Sequence, residues 1–259
     1  MKLTFRLRSI VLRGLLAGVI AGAAAGGVAL VTGESLIDQA IAIEETGTTT
    51  HSHEAGLSAA PADTEDHNHN SNDSAALVSR DGQRSGLFLA TSLTGGATGV
   101  VFAILRFAIT RKVETASQVQ TVLPLAAAGW AAVAAVPWLL VPPNPPAVGS
   151  SGSIDYRTNL WVIAVLLGIT AALTWYVVRR RAGSKVLTSG IHKSLPALAA
   201  AAVIVVGWRL IPGTGTDYTG FPADLLWNFR LASAATQLTL WAVLGIVFHG
   251  FIERMAQRR

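Results

Sequence analysis

The chain has no cysteine and only two methionines in 259 residues. Without thiols there can be no disulfide, thiolate metal site or cysteine nucleophile. Charge is scarce as well: 14% of residues are charged, against roughly 25% in soluble domains. No Gly-x-x-x-x-Gly-Lys-Ser/Thr loop, His-Glu-x-x-His motif or Ser-His-Asp pattern is present. The chain is therefore expected neither to hydrolyse ATP nor to be an enzyme, and no resident cofactor is expected. A haem protein is disfavoured too, because only His249 falls in a span.

What the sequence has is apolar length. Hydrophobic residues make up 51% of it, gathered into runs long enough to cross a bilayer as helix. The expected fold is an all-α integral membrane protein, a bundle of about six transmembrane helices. The spans are read at 10–32, 86–109, 121–141, 159–178, 195–211 and 231–251. The fifth is the shortest and holds Pro196 near its start. The chain divides into a basic start with span one (1–32), a polar loop (33–85), and spans two to six with short loops (86–259).

The net charge of +5 points to topology rather than to nucleic acid, because the basic residues flank apolar runs. Lys2, Arg6, Arg8, Arg13, Arg106, Arg111, Lys112, Arg179, Arg180, Arg181, Lys185, Lys193, Arg254, Arg258 and Arg259 all fall on one side of an even-span bundle. The positive-inside rule makes that side cytoplasmic, with both termini in it. Residues 1–25 also have the form of a signal peptide, ending in Ala23-Ala24-Ala25. The apolar run continues to Val31, so the segment is read as a span. The loop faces outward either way.

That loop, 33–85, holds ten of fifteen acidic residues and four of six histidines. They occur as His51-Ser52-His53-Glu54 and His67-Asn68-His69-Asn70. Imidazole with nearby carboxylate suits first-row divalent ions, though the spacing is not that of a closed zinc site. The composition is that of a disordered tract. It reads as weak, exchangeable metal capture by His51, His53, His67 and His69, or as a solvated linker. Glu34 and Asp38 leave span one at i, i+4 and share a helix face, with Glu45 near it. They are candidate ligands at a membrane mouth, or a polar helix end.

Gly14, Gly18, Gly22 and Gly26 recur every four residues, with Gly95 and Gly99 in span two. Such a groove is either a moving interface or tight static packing. Ser233, Thr236 and Gln237 form a polar stripe in span six, lining a pathway or bonding between helices. Arg209 and Arg230 sit at span ends and can snorkel. His249 lies a turn from the basic tail, where a lone histidine is more often structural. His192 has no evident acidic partner.

Several stretches together resemble one known family. They are Gly33-Glu34-Ser35-Leu36-Ile37-Asp38 with Ala40–Glu45, the histidine-bearing insert, Pro142-Pro143-Asn144-Pro145-Pro146-Ala147-Val148-Gly149 with Tyr156-Arg157-Thr158, and Phe221-Pro222-Ala223-Asp224-Leu225-Leu226-Trp227 running into Phe229–Ser233. In this order they resemble the CbtA family of predicted cobalt transporter subunits. The family usually has Gly-Glu-Pro where this chain has Gly33-Glu34-Ser35. The resemblance implies a multi-pass prokaryotic inner-membrane protein, a small one-span His-bearing partner (CbtB), and a link to cobalamin supply. It marks Glu34, Asp38, Glu45, Asn144, Asp155, Arg157, Asp224, Asn228 and Arg230 on three outward loops expected to converge. The expected cargo is Co²⁺, with Ni²⁺, Zn²⁺ or efflux as alternatives and a metal-responsive scaffold or sensor as another class.

Overall fold

The computed structural model describes residues 2–52, 79–111, 119–149, 153–182 and 193–257. They form six helical passes and, among the described residues, no strand. Helix α1 spans Lys2–Ser52 and α2 spans Arg80–Arg111. The third pass is broken into α3 (Val122–Trp130), a π-helical turn (Ala131–Ala135) and α4 (Val136–Leu140). Then come α5 (Ile154–Arg181), α6 (Leu195–Leu210) and α7 (Ala223–Gln257). Five passes are long and apolar enough to span a membrane, and α6 is a shorter apolar helix. Its 16 residues reach about 24 Å, short of a core about 30 Å thick.

Both helices flanking the polar loop run further than the apolar pattern predicts. Helix α1 does not stop near residue 32 but continues to Ser52. The reason lies in residues 33–46. They carry strong helix formers, and Gly33, Ile37, Ala40 and Glu44 keep a helical spacing. Gly33 and Ala40 are buried on that stripe. Helix α2 likewise starts at Arg80, ahead of its apolar run. The polar loop thus has a helical root on each side.

The main contacts run in the order α2, α1, α7, α3/α4, α5, α6, with α2 also touching α3 and, through Phe102, α7. The α1–α2 seam is set by glycine. A Cβ on Gly14, Gly18 or Gly22 would fall less than 3.0 Å from the carbonyl oxygens of Gly99, Gly95 and Thr91, and one on Gly95 or Gly99 would do the same to Gly18 and Gly14. The two backbones are in contact, so the stripe is a packed seam. Arg13 reaches Met255 Sδ at 3.4 Å, which places the start of α1 beside the end of α7. Between them, Phe102 and Phe248 meet edge to face at 5.4 Å. Arg106 is 1% exposed, with its guanidinium 5.9 Å from the Phe248 ring centroid. The sequence reads Arg106 as a flanking charge. In the fold it is the one buried charged side chain among the described residues.

Helix α5 carries aromatic residues at both ends. Tyr156 and Trp161 are exposed at one end and Trp175 and Tyr176 at the other. Arg179 and Arg180 lie over Trp175 and Tyr176, at 5.0 and 5.4 Å. Twenty residues separate Tyr156 from Tyr176, about 30 Å of helix, which matches a hydrocarbon core with aromatic belts.

Candidate functional site

Three polar assemblies sit at the end of the bundle away from the N-terminus. The first closes the loop root. Glu34 and Asp38, one turn apart on α1, face the first turn of α2. Arg84 Nε donates to Glu34 Oε2 at 2.6 Å, Arg80 pairs with Asp38, and the cross pairs Arg80–Glu34 and Arg84–Asp38 measure 3.5 and 3.8 Å. Asp81 also stands 3.6 Å from Arg84, so three carboxylates meet two guanidinium groups and the cluster keeps one net negative charge. Glu34 is its sheltered member, 15% exposed.

The second is a hub around Arg230 at the start of α7. Its Nε donates to the Pro143 carbonyl at 3.4 Å. Its terminal nitrogen donates to Asn144 Oδ1 and to the Tyr218 hydroxyl oxygen, each at 3.2 Å. The guanidinium also lies 5.4 Å from the Tyr218 ring centroid. Trp138 Nε1 donates to the Arg230 carbonyl at 3.0 Å, and Arg157 donates to the Pro142 carbonyl at 3.4 Å. Proline fixes φ in the 142–146 loop, so its carbonyls present fixed acceptors to both arginines. Burial pushes the Tyr218 phenol up, but hydrogen bonds with Thr216, Asn144 and Thr214 and the charge of Arg230 outweigh it. Its pKa ends below the ordinary tyrosine value.

The third is an open cavity of about 620 Å³ bounded by α1, the third pass, α5 and α7. Glu44 and Arg157 bring charge to its wall. Ser233 and Gln237 line it from α7, Thr158 from α5, and Val133 and Ala134 from the π-helical turn. Trp138 and Trp161 supply apolar wall. From Ser233 to Gln237 is about one turn of α7, roughly 6 Å, so the cavity is a funnel running from the Pro142–Pro143 loop along α7 toward the apolar core.

The π-helical turn at its floor has a cause in the sequence. Pro137 has no N–H to give the carbonyl four residues back, and its ring crowds that carbonyl. The helix widens: the Val136 N–H bonds to the Ala131 carbonyl, five residues back. Pro137 offers no N–H to either the Ala132 or the Val133 carbonyl. The Ala132 carbonyl abuts Gly168 of α5, where a Cβ would fall under 3.0 Å. Val133 faces the cavity. Such π-helical turns are frequent at functional sites.

The candidate residues from the sequence divide as follows. Glu34 and Asp38 share a face and are engaged by Arg80 and Arg84. Glu45 is exposed on α1, and it is its neighbour Glu44 that lines the funnel. His51 lies in the last turn of α1, its side chain outside the described residues, as are His53, His67 and His69 entirely. Asp224 and Asn228 are exposed on the first turns of α7. Thr236 turns its hydroxyl back to the Ala232 carbonyl at 2.9 Å, whereas Gln237 joins the cavity wall. Of the three outward loops expected to converge, two meet in the Arg230 hub. Among the described residues, no three His, Asp or Glu side chains stand together as a metal cluster. Sequence reasoning missed Glu44 and the π-helical turn. The signals were the buried stripe that Glu44 extends and Pro137 inside an apolar run.

A comparison with protein families decides what this membrane scaffold is. The family described as probable cobalt transporter subunit (CbtA) matches residues 7–253. The chain belongs to this family. The match takes in every pass, the clamp, the hub and the funnel. No curated protein and no solved structure matches the chain. Membership of the CbtA family makes the chain a multi-pass membrane subunit with a non-enzymatic role. It also implies a metal ion as substrate and at least one partner.

Proposed function

We propose that this CbtA-family chain admits Co²⁺ to the cell through the funnel. The observation that carries the reading is the cavity itself. It joins Glu44 at its wall to Ser233, Gln237 and the proline-opened turn deeper in the bundle. Broken helices with freed carbonyls are how membrane transporters offer cation acceptors at depth.

The basic flanks put both termini in the cytoplasm and the funnel outside. The outward tract with His51, His53, His67 and His69 raises the local ion concentration. Glu45 and the Glu34–Asp38 cluster, whose two acids Arg80 and Arg84 engage, form the approach, Asp224 and Asn228 the far rim, and Arg230 the rigid support of the mouth. Gln237 lies along the descent, with Thr236 beside it in sequence and bonded to its own helix. A membrane potential of 100 mV supplies roughly 4–5 kcal/mol for a divalent ion, enough to drive uptake. A small one-span, His-bearing subunit like CbtB completes the system, and the imported cobalt serves cobalamin supply.

The test is radiolabelled cobalt uptake in cells expressing the chain with its partner. Val133→Trp, which fills the funnel, is expected to abolish uptake while the protein stays in the membrane at its normal level. Undiminished uptake by that variant would remove the funnel from the pathway.

A further inference from the structure

We infer that the funnel takes a divalent ion with its first water shell intact. The inference deepens the transport reading and rests on it.

A first-row divalent ion in water holds six oxygens. A site that strips them must return ligands of comparable strength, in practice imidazole, thiolate or several carboxylates. The funnel wall has one carboxylate, Glu44, and it also carries Arg157. Its remaining polar side chains are the Ser153, Thr158 and Ser233 hydroxyls, the Gln237 amide and the indoles of Trp138 and Trp161. Thr158 donates its proton to the Ile154 carbonyl at 2.9 Å, so its oxygen is left to accept. The hydroxyls and the amide can receive hydrogen bonds from bound water but are too weak and too few to replace it.

Size permits it. Six waters at about 30 Å³ each occupy roughly 180 Å³, and the cavity measures about 620 Å³, so the hydrated ion can enter without shedding a ligand. Charge agrees too, because repulsion falls with distance. An ion kept one water layer from Arg157 is repelled less than one in contact.

The probe is hexaamminecobalt(III), which does not exchange its ligands and presents N–H donors much as an aqua ion presents O–H donors. The purified full chain in nanodiscs is titrated with it by calorimetry, and Co²⁺ uptake is measured in its presence. Saturable binding and competitive inhibition of uptake are expected. Gln237→Leu should weaken binding of the probe roughly tenfold, as for a lost hydrogen bond to a charged group. Val133→Trp should abolish it. Because Val133→Trp leaves the acidic loop untouched, binding that survives it belongs to that loop and overturns the inference. Cobalt uptake insensitive to the probe overturns it as well, and leaves the transport reading standing. Funnel binding of the probe without any cobalt uptake supports the hydrated site and sinks the transport reading instead.

Discussion

Arg84 on α2 donates to Glu34 on α1 at 2.6 Å, across fifty residues of sequence. With Arg80 and Asp38 the pair draws the two helices together where the acidic, histidine-bearing tract leaves and returns. The clamp therefore fixes both ends of the tract, with most of its carboxylate charge paired.

Removing one member should loosen this root more than it destabilises the fold. Exposed ion pairs contribute about 0–1 kcal/mol each. Arg84→Gln is expected to lower the melting midpoint by a few degrees and to raise proteolysis near residue 80. Exchanging the charges, Glu34→Arg with Arg84→Glu, should recover at least half of the loss in a double-mutant cycle. No coupling in that cycle would show that the pair has no energetic role.

The glycine seam should be far less tolerant. Gly18→Val places side-chain atoms against the Gly95 carbonyl and the Gly96 backbone, and separating two packed helices costs about 3 kcal/mol or more. Little folded protein is expected in detergent. Gly27→Ala is the matched control, because a Cβ there meets nothing within 4 Å. It should fold at least as well as the parent, by up to about 1 kcal/mol on helix propensity. The readout is the monodisperse fraction on size exclusion together with a thermal melt.

Pro137→Ala separates stability from transport. It returns an N–H to the third pass, so the freed carbonyl can regain a helical partner. The thermal midpoint should hold or rise while cobalt uptake falls about tenfold, if that carbonyl helps carry the ion. Parallel loss of both would make Pro137 a packing residue only.

Tyr218 offers a pH signature. Its folded pKa lies below the ordinary tyrosine value of 10.0, so the folded state favours the phenolate. The resulting stability is fully present above pH 10 and is lost as pH falls through the lower folded value. Nothing should change near neutrality. Ultraviolet titration should show an early phenol ionisation, and Tyr218→Phe should remove it.

Much of the fold was legible because membrane spans follow from apolar run length. All six passes lie where the runs do, and the glycine spacing announced a close backbone approach, though not that α1 and α2 make it with each other. The extents of α1 and α2 were not legible. An amphipathic continuation such as 33–46 is too polar to read as a span, and it is held by partners fifty residues away. Burial of Arg106 was hidden for a similar reason. A basic residue at the end of an apolar run looks topological until Phe248, far along the chain, packs against it. Within the funnel, Gln237 was visible as part of a polar stripe. Glu44 was masked by choosing Glu45, one residue and 100° round the helix. The π-helical turn depends on what Pro137 removes, which no periodicity displays.

Helix α1 is continuous from Lys2 to Ser52, about 76 Å of unbroken rod. One end lies along the glycine seam, and further along Glu34 and Asp38 are gripped by Arg80 and Arg84. The rod is thus held to its neighbour at two separate places. Glu44, beyond the second grip, is presented to the funnel from a braced strut.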